Sequence, residues 1–326
     1  MLVRRSMDST PLVWNESTIA GFIDAAQCFR VQAAQRSLLT MTRCRFLAAA
    51  VLAISTLHAA AAEAQTTPRL YALDCGHASF KDFGAASDTG DFDGRAAELA
   101  DPCFLIQHPK GWLLWDAGLP AALPASVTGG LSPQAMADQL GFRTWLDRPV
   151  TDQLRDIGIT PDDVGWLAFS HLHFDHVGQA SLFQRATWIV NRDELDWALA
   201  KPAHVSMSAE LLANRPPQRT KFIDGDFDVF GDGSVRILKT PGHTPGSSVL
   251  LVRLARSGPV ILSGDLYLTR EGREHQHVPT VNADRAATLA SMHRVEAITK
   301  RLRARVIVQH SPQDFAALPK PPAFLD

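Results

Sequence analysis

Between Ser170 and Gly178 the chain reads Ser-His-Leu-His-Phe-Asp-His-Val-Gly, so three imidazoles and a carboxylate fall within six residues. The run directly before it, Trp166-Leu167-Ala168-Phe169, is apolar and reads as a buried strand. A strand ending in such a cluster is presenting it to something. Left unpaired in an interior, these polar groups would cost about 1–3 kcal/mol each. Imidazole and carboxylate donors are what zinc, iron and similar metals take. In an extended segment His171 and His173 point the same way and Leu172 points away, so the pair grips one ion. Asp175 and His176 follow a turn and can face a second ion beside the first, an arrangement suited to a two-metal site.

Three later positions repeat the pattern of a ligand at the end of an apolar strand. The strand predicted over 234–239 runs into Thr240-Pro241-Gly242-His243-Thr244-Pro245-Gly246, where prolines and glycines fix the backbone around one histidine. The strand over 259–263 ends in Ser263-Gly264-Asp265, and the last one, 305–309, ends in His310. Upstream, Cys103–Ile106 and Trp112–Trp115 flank Pro109-Lys110-Gly111 as a hairpin. It closes on Asp116-Ala117-Gly118, whose carboxylate can brace nearby backbone amides.

Helices are predicted from Val150, with Gly158 as the stop, and after Asn191, where Glu194 three residues on suggests a capping arrangement. A third carries the stripe Leu289, Met292, Val295, Ile298 and Leu302. Residues 119–149, rich in Pro, Gly and Ala, read as a long loop with one short helix, and such loops inside compact domains are usually functional or mobile.

With 326 residues, 46% of them hydrophobic, the chain has ample material for a core. Its formal net charge of −2 gives no broad attraction to nucleic acid or to an anionic membrane. Met41-Thr42-Arg43-Cys44-Arg45, the apolar run Phe46–Leu57 and small residues ending in Ala62-Glu63-Ala64 have the build of a secretory signal peptide over 41–64, cleaved before Gln65. Residues 1–40 are then expected to be a non-native or disordered extension upstream of the true start at Met41. The mature product, 65–326, is expected to be soluble and periplasmic or secreted, since no later segment approaches the roughly 20 apolar residues of a spanning helix. Of four cysteines, Cys75 and Cys103 would remain, and two buried thiols are expected rather than a disulfide.

Taken in order, His171-x-His173-x-Asp175-His176, His243 in its Pro/Gly loop, Asp265 in Ser-Gly-Asp and His310 resemble the metallo-β-lactamase superfamily over essentially all of 68–326, including its early Asp-x-Gly turn at Asp116 to Gly118. The resemblance implies an α/β fold of the αβ/βα four-layer kind, two mixed sheets face to face with helices outside. It implies two divalent ions, zinc first with iron, cobalt or manganese as alternatives. His171, His173 and His243 would hold one ion, Asp175, His176 and His310 the other, and Asp265 would bridge them. An aspartate at that bridge points away from the β-lactamases proper. The identity of His-Leu-His-Phe-Asp-His points to the N-acyl homoserine lactonase group, which opens lactone rings in quorum quenching.

The chemistry implied is attack by a hydroxide shared between two cations on a metal-polarised carbonyl. Asp175 would orient the hydroxide and then pass a proton to the departing alkoxide. The group carries a tyrosine three residues after the bridging aspartate; Leu268 stands there in this chain, and Tyr267, one position earlier, is the candidate for its catalytic part. The partner is a small-molecule lactone or ester. Organophosphate and aryl-ester hydrolases of the same superfamily are the alternative, then a β-lactamase or glyoxalase II. A mononuclear iron persulfide dioxygenase and a metal-binding non-enzyme are readings from different classes. His275 and His277 are expected to contact substrate or solvent near the site, and His77, His108, His204 and His293 have no supporting neighbours.

Overall fold

The computed structural model describes residues 67–204 and 206–326; the expectations for 1–40 and for the signal peptide lie outside them. Among the described residues twelve strands form two sheets. The first contains β1 (Arg69–Phe80), β2 (Ala97–His108), β3 (Gly111–Trp115), β4 (Phe142–Trp145), β5 (Val164–Ala168), β6 (Thr187–Asn191) and β7 (Thr220–Ile223), in the spatial order β4-β1-β2-β3-β5-β6-β7. The second contains β8 (Phe227–Asp228), β9 (Val235–Lys239), β10 (Ser248–Leu254), β11 (Gly258–Leu262) and β12 (Arg305–Ile307), ordered β12-β11-β10-β9-β8. Both are mixed: β1, β2 and β3 pair antiparallel while β3, β5, β6 and β7 run parallel, and β12 joins β11 parallel.

Strand alternation shows why the layers stack as they do. Successive side chains point to opposite faces, and on both sheets both sets are apolar, which requires cover on either side. Phe104, Ile106, Leu113 and Trp115 from the first sheet meet Leu250, Val252, Val260 and Leu262 from the second in one buried core between the sheets. Their neighbours Leu105 and Leu114 face the other way, against Val150 and Leu154 of the helix Val150–Ile157. On the far side, Val249, Leu251 and Ile261 pack on Met292 and Val295 of the helix Arg285–Leu302. Helix, sheet, sheet and helix therefore make four layers, the expected αβ/βα sandwich.

Two expectations need correction. The stretch 119–149 holds more than one short helix: it carries helical segments Ala125–Thr128 and Pro133–Gln139 and then β4, which pairs with the end of β1, Phe142 opposite Phe80 and Trp145 opposite His77. Cys75 and Cys103 are joined in a disulfide, with Cα atoms 5.6 Å apart. The antiparallel register sets Leu73 opposite Cys103, and an irregularity between Asp74 and His77 carries Cys75 back to bonding distance. The helix Val150–Ile157 ends at Gly158 in the left-handed conformation, as the sequence indicates.

Candidate active site

The site gathers where strands end. β5 delivers His171 and His173, and the single helical turn Phe174–Val177 then carries Asp175 and His176. His243 follows β9, Asp265 follows β11 and His310 follows β12. Gly242 has φ +142, and a Cβ there would lie 2.2 Å from the Thr288 amide nitrogen. The His243 loop thus lies against the helix Arg285–Leu302 because that residue is glycine.

His171 Nε2 and His173 Nδ1 are 2.8 Å apart, and His243 Nε2 is 3.1 Å from the same His173 nitrogen. Asp265 Oδ2 completes the cluster at 3.4 Å from His243 Nε2 and 3.8 Å from His171 Nε2. Donors around a tetrahedral zinc, each about 2.0–2.1 Å from it, stand about 3.3 Å apart. The four ligand atoms have that spacing. Burial, reinforced by the neighbouring imidazoles, pushes the pKa values of His171 and His173 well below the usual value, and burial lowers that of His243. Neutral imidazoles keep the lone pairs a metal requires.

The other half of the site is built on the remaining oxygen of Asp265. Its Oδ1 lies 3.2 Å from His176 Nε2 and 3.0 Å from His310 Nε2. Asp175 Oδ2 stands further off, 3.9 Å from His176 Nε2 and 4.0 Å from His310 Nε2. Burial disfavours the cationic form of both histidines. Asp265, Asp175 and Asp116 outweigh it at His176, whose pKa is held well above the usual value, and Asp265 outweighs it at His310, which is raised to about 9. A carboxylate field that holds protons on two buried imidazoles is a field that holds cations. Buried nitrogens His173 Nε2, His176 Nε2 and His243 Nδ1 have no hydrogen-bond partner. The donor set and its spacing fit two ions bridged by Asp265.

A surrounding set of hydrogen bonds orients these rings. His176 Nδ1 donates to Asp116 Oδ2 at 3.0 Å and His310 Nδ1 donates to the Ala100 carbonyl at 2.9 Å, which turns each Nε2 inward. Asp116 braces more than the sequence suggested: Oδ1 also accepts from the Ser170 amide at 2.6 Å, and Oδ2 from Gln309 Nε2 at 3.2 Å. It sits in the left-handed region at φ 61, which an aspartate tolerates better than most residues. Gly118, at φ +59, passes so close to Cys75 that a Cβ would lie 2.3 Å from the cysteine's own. The Asp-x-Gly turn is thereby locked to the disulfide.

Two site residues escaped the sequence reading. Glu194 is no capping partner: Asn191 caps the helix Arg192–Ala198 by accepting from the Asp193 amide. The Glu194 carboxylate is buried and accepts from the Leu172 amide and the Gly246 amide, each at 2.9 Å, so one side chain ties the His171–His173 segment to the His243 loop. Asp101, on β2, turns into the site beside His176 and His310.

Tyr267 is a correction in the other direction. Its hydroxyl donates to Glu296 at 3.0 Å, its ring belongs to the core between the second sheet and the helix Arg285–Leu302, and burial drives its pKa far up. It has no place at the metal ligands. The backbone at Tyr267 is extended, φ −136 and ψ 119, so the next residue, Leu268, takes the other side and lines the cavity. His277 packs edge-on against Phe92 and lies 3.5 Å from Asp91, outside the residues lining the cavity, and His275 is solvent-exposed.

The cavity over the ligands has a volume of about 300 Å³, with His173, Asp175, His243, Asp265 and His310 at its floor. Phe80, Leu99, Leu119, Met136, Phe142 and Leu268 form much of its wall. Over residues 98–308 the sequence matches the metallo-β-lactamase superfamily. The chain belongs to that superfamily.

Among members of the superfamily it is similar to N-acyl homoserine lactonase AttM of Azorhizobium caulinodans, 31% identical over 267 residues, covering 80% of this chain and all of that one. N-acyl homoserine lactonase AiiA of Bacillus thuringiensis subsp. kurstaki is 29% identical over 217 residues, 67% of this chain and 83% of its own. The fold is similar to that of a solved N-acyl homoserine lactone hydrolase with the product N-hexanoyl-L-homoserine bound at its catalytic metal centre. The TM-score is 0.67 at 26% identity, over 79% of this chain and 99% of the other. Like these, the present chain is a superfamily hydrolase with a site for divalent metal.

Proposed function

We propose that this superfamily member opens the ring of N-acyl homoserine lactones at a dinuclear metal site, zinc being the metal its imidazole and carboxylate donors suit first, with iron, cobalt and manganese also admitted by them. The observation that carries the reading is the cavity: a compact polar floor of metal ligands under an apolar wall of Phe80, Leu99, Leu119, Met136, Phe142 and Leu268. A substrate with a small ester ring and a hydrocarbon tail matches that division. Metal bound there supplies Lewis acidity toward a carbonyl oxygen and lowers the pKa of a water to near neutrality.

The chain's own residues do the rest. Asp175 is the most exposed carboxylate of the cluster, with 24% of its side chain accessible, and it borders the cavity. Its Oδ2 would take the proton of the attacking water and hand it to the ring oxygen as the acyl carbon–oxygen bond breaks. Water oxygen ends on the acyl carbon, the proton ends on the departing alkoxide, and the product is an open hydroxy acid. Asp116, through His176, and the Ala100 carbonyl, through His310, keep two ligands aimed while this happens. Leu268 offers no hydroxyl to a bound substrate, which favours aryl esters or organophosphate triesters as the second reading.

Export belongs to the same proposal. Residues 41–64 would be removed as a signal peptide, 1–40 would lie outside the mature chain, and 65–326 would be the catalytic domain of a periplasmic or secreted enzyme. The Cys75–Cys103 disulfide supports this, since such bonds persist mainly in oxidising compartments. N-terminal sequencing of exported material should begin at Gln65 or a neighbour, and an intact Met1 would exclude it. For the activity, the metal-loaded protein is assayed on acyl homoserine lactones, aryl esters, an organophosphate triester and a β-lactam. Lactones turned over no faster than the aryl esters would reverse the order of the two readings.

A further inference from the structure

A second cavity, of about 500 Å³, is formed by the segment that runs from Leu119 to just past β4. Leu119, Met136, Phe142 and Thr144 line both this cavity and the one over the site, so the partition between them is one side chain thick. Beyond it the lining is largely small or apolar, Ala121, Ala122, Leu131 and Leu146 included, with Gln134 and Arg143 among its polar members.

The partition is fixed on one side and yielding on the other. The Leu119 amide donates to the Cys75 carbonyl at 2.9 Å, and two glycines crowd the residue. A Cβ on Gly76 would lie 2.5 Å from Leu119 Cδ1, and one on Gly178 would lie 2.2 Å from the Leu119 carbonyl carbon. The Phe142 ring rests against Phe80, centroids 4.8 Å apart, and Thr144 shares its side of β4. Met136, on the helix Pro133–Gln139, is the unbranched member of the set, and a flexible thioether re-packs where a ring or a branched chain does not.

Size indicates what the second cavity is for. The cavity over the site, about 300 Å³, stands at the lower end of the roughly 300–1,000 Å³ typical of small-molecule sites. It suits a lactone ring with a short tail, and a long tail needs further room. We propose that the acyl chain of the substrate runs past Met136 into the second cavity, so that the lactones preferred are those with long, unbranched tails. This deepens the lactone reading above and rests on it. Each methylene that leaves water for an apolar lining is worth roughly a fourfold gain in kcat/KM. The gain falls on KM, because the tail is held equally in ground and transition states.

The test compares hexanoyl and dodecanoyl homoserine lactone on zinc-loaded wild type, Ala121→Trp and Ala122→Trp. Both alanines are exposed and line the second cavity but not the first, so an indole there takes up its volume without displacing the core. The readout is the ratio of kcat/KM for the two substrates, which does not depend on the fraction of protein folded or loaded. Wild type should favour the dodecanoyl lactone by at least about tenfold, chiefly through a lower KM, and at least one tryptophan variant should bring that ratio down about fivefold or more. A smaller wild-type preference, or a ratio that neither variant lowers to that extent, would overturn the second cavity as the tail site and leave the lactone reading standing. No turnover of either lactone by loaded wild type would overturn both.

Discussion

Removal of the Glu194 carboxylate tests whether the two metal-bearing segments are held by one side chain. Its oxygens accept from the Leu172 and Gly246 amides at 2.9 Å each, and both donors are buried. A hydrogen bond to a charged group contributes about 1.5–3 kcal/mol, and a buried amide left without an acceptor adds its own desolvation cost. Against this stands the cost of burying the carboxylate, visible in the upward push that burial gives its pKa. Glu194→Ala should therefore destabilise the metal-free protein by about 2–4 kcal/mol net. For a domain of this size that lowers the melting temperature by roughly 5–15 °C.

Glu194→Gln keeps one acceptor and turns an amide group toward the other donor, so about half the effect is expected. Thermal unfolding followed by circular dichroism gives the shifts, and zinc titration should show weaker uptake at His171, His173 and His243. The control is the neighbouring Asp193→Ala, which removes an exposed carboxylate paired to Lys239 and should cost no more than about 1 kcal/mol. If Glu194→Ala melts within 1–2 °C of wild type, roughly the effect of half a kcal/mol, the two loops hold themselves and the clamp is refuted.

Three further outcomes are expected. Asp175→Asn should lower turnover of an aliphatic lactone by roughly 10²–10⁴-fold but that of a p-nitrophenyl ester less, because a phenolate leaves without help from a proton; equal losses under saturating metal would leave Asp175 no part in proton transfer. Reducing the Cys75–Cys103 bond, or replacing both residues by alanine, releases a loop of 28 residues' separation and should cost about 3–4 kcal/mol, read as a lower denaturant midpoint; an unchanged midpoint would contradict it. His77 stands 3.0 Å from Asp74 and 3.5 Å from Asp147, and its bond to Asp74 raises its pKa in the folded state despite burial. The resulting stabilisation is complete below the unfolded value of about 6.5 and is lost as pH rises through the raised value. Urea midpoints of wild type and His77→Gln should accordingly converge on going from pH 6 toward pH 9, and a constant difference would sink the assignment.

What the sequence made legible follows from what local pattern can carry. The clustered histidines and aspartates were legible because they closely follow apolar strands, and parity along an extended segment assigns His171 and His173 to one side without further knowledge. Four-residue β4 was not readable: Phe142-Arg143-Thr144-Trp145 becomes a strand through its partner, the distal half of β1. The disulfide depended on a register irregularity that no spacing reveals. Glu194 sits three residues after a true cap and so looked like its companion, while its acceptor atoms serve two loops that are 22 and 52 residues away in sequence. Asp101 was hidden by the proline after it, which suggests a turn where the chain is a central strand. Tyr267 shows the reverse error, a residue one place from the expected position that lies on the wrong face.

The residues gathered at the site divide along the same line as the sheets. Among the described residues, the strands through Ile223 form the seven-stranded sheet and the segments between them carry His171, His173, Asp175 and His176; the strands from Phe227 form the five-stranded one, and His243, Asp265 and His310 follow them. The molecule can thus be regarded as two consecutive half-proteins meeting across an interface, with the site for divalent metal at the rim of that interface. Mass action then ties the union of the halves to free metal: ions present at a thousand times their dissociation constant add about 4 kcal/mol to the joined state. On that view free metal adjusts the stability of the joined halves as well as the loading of the site.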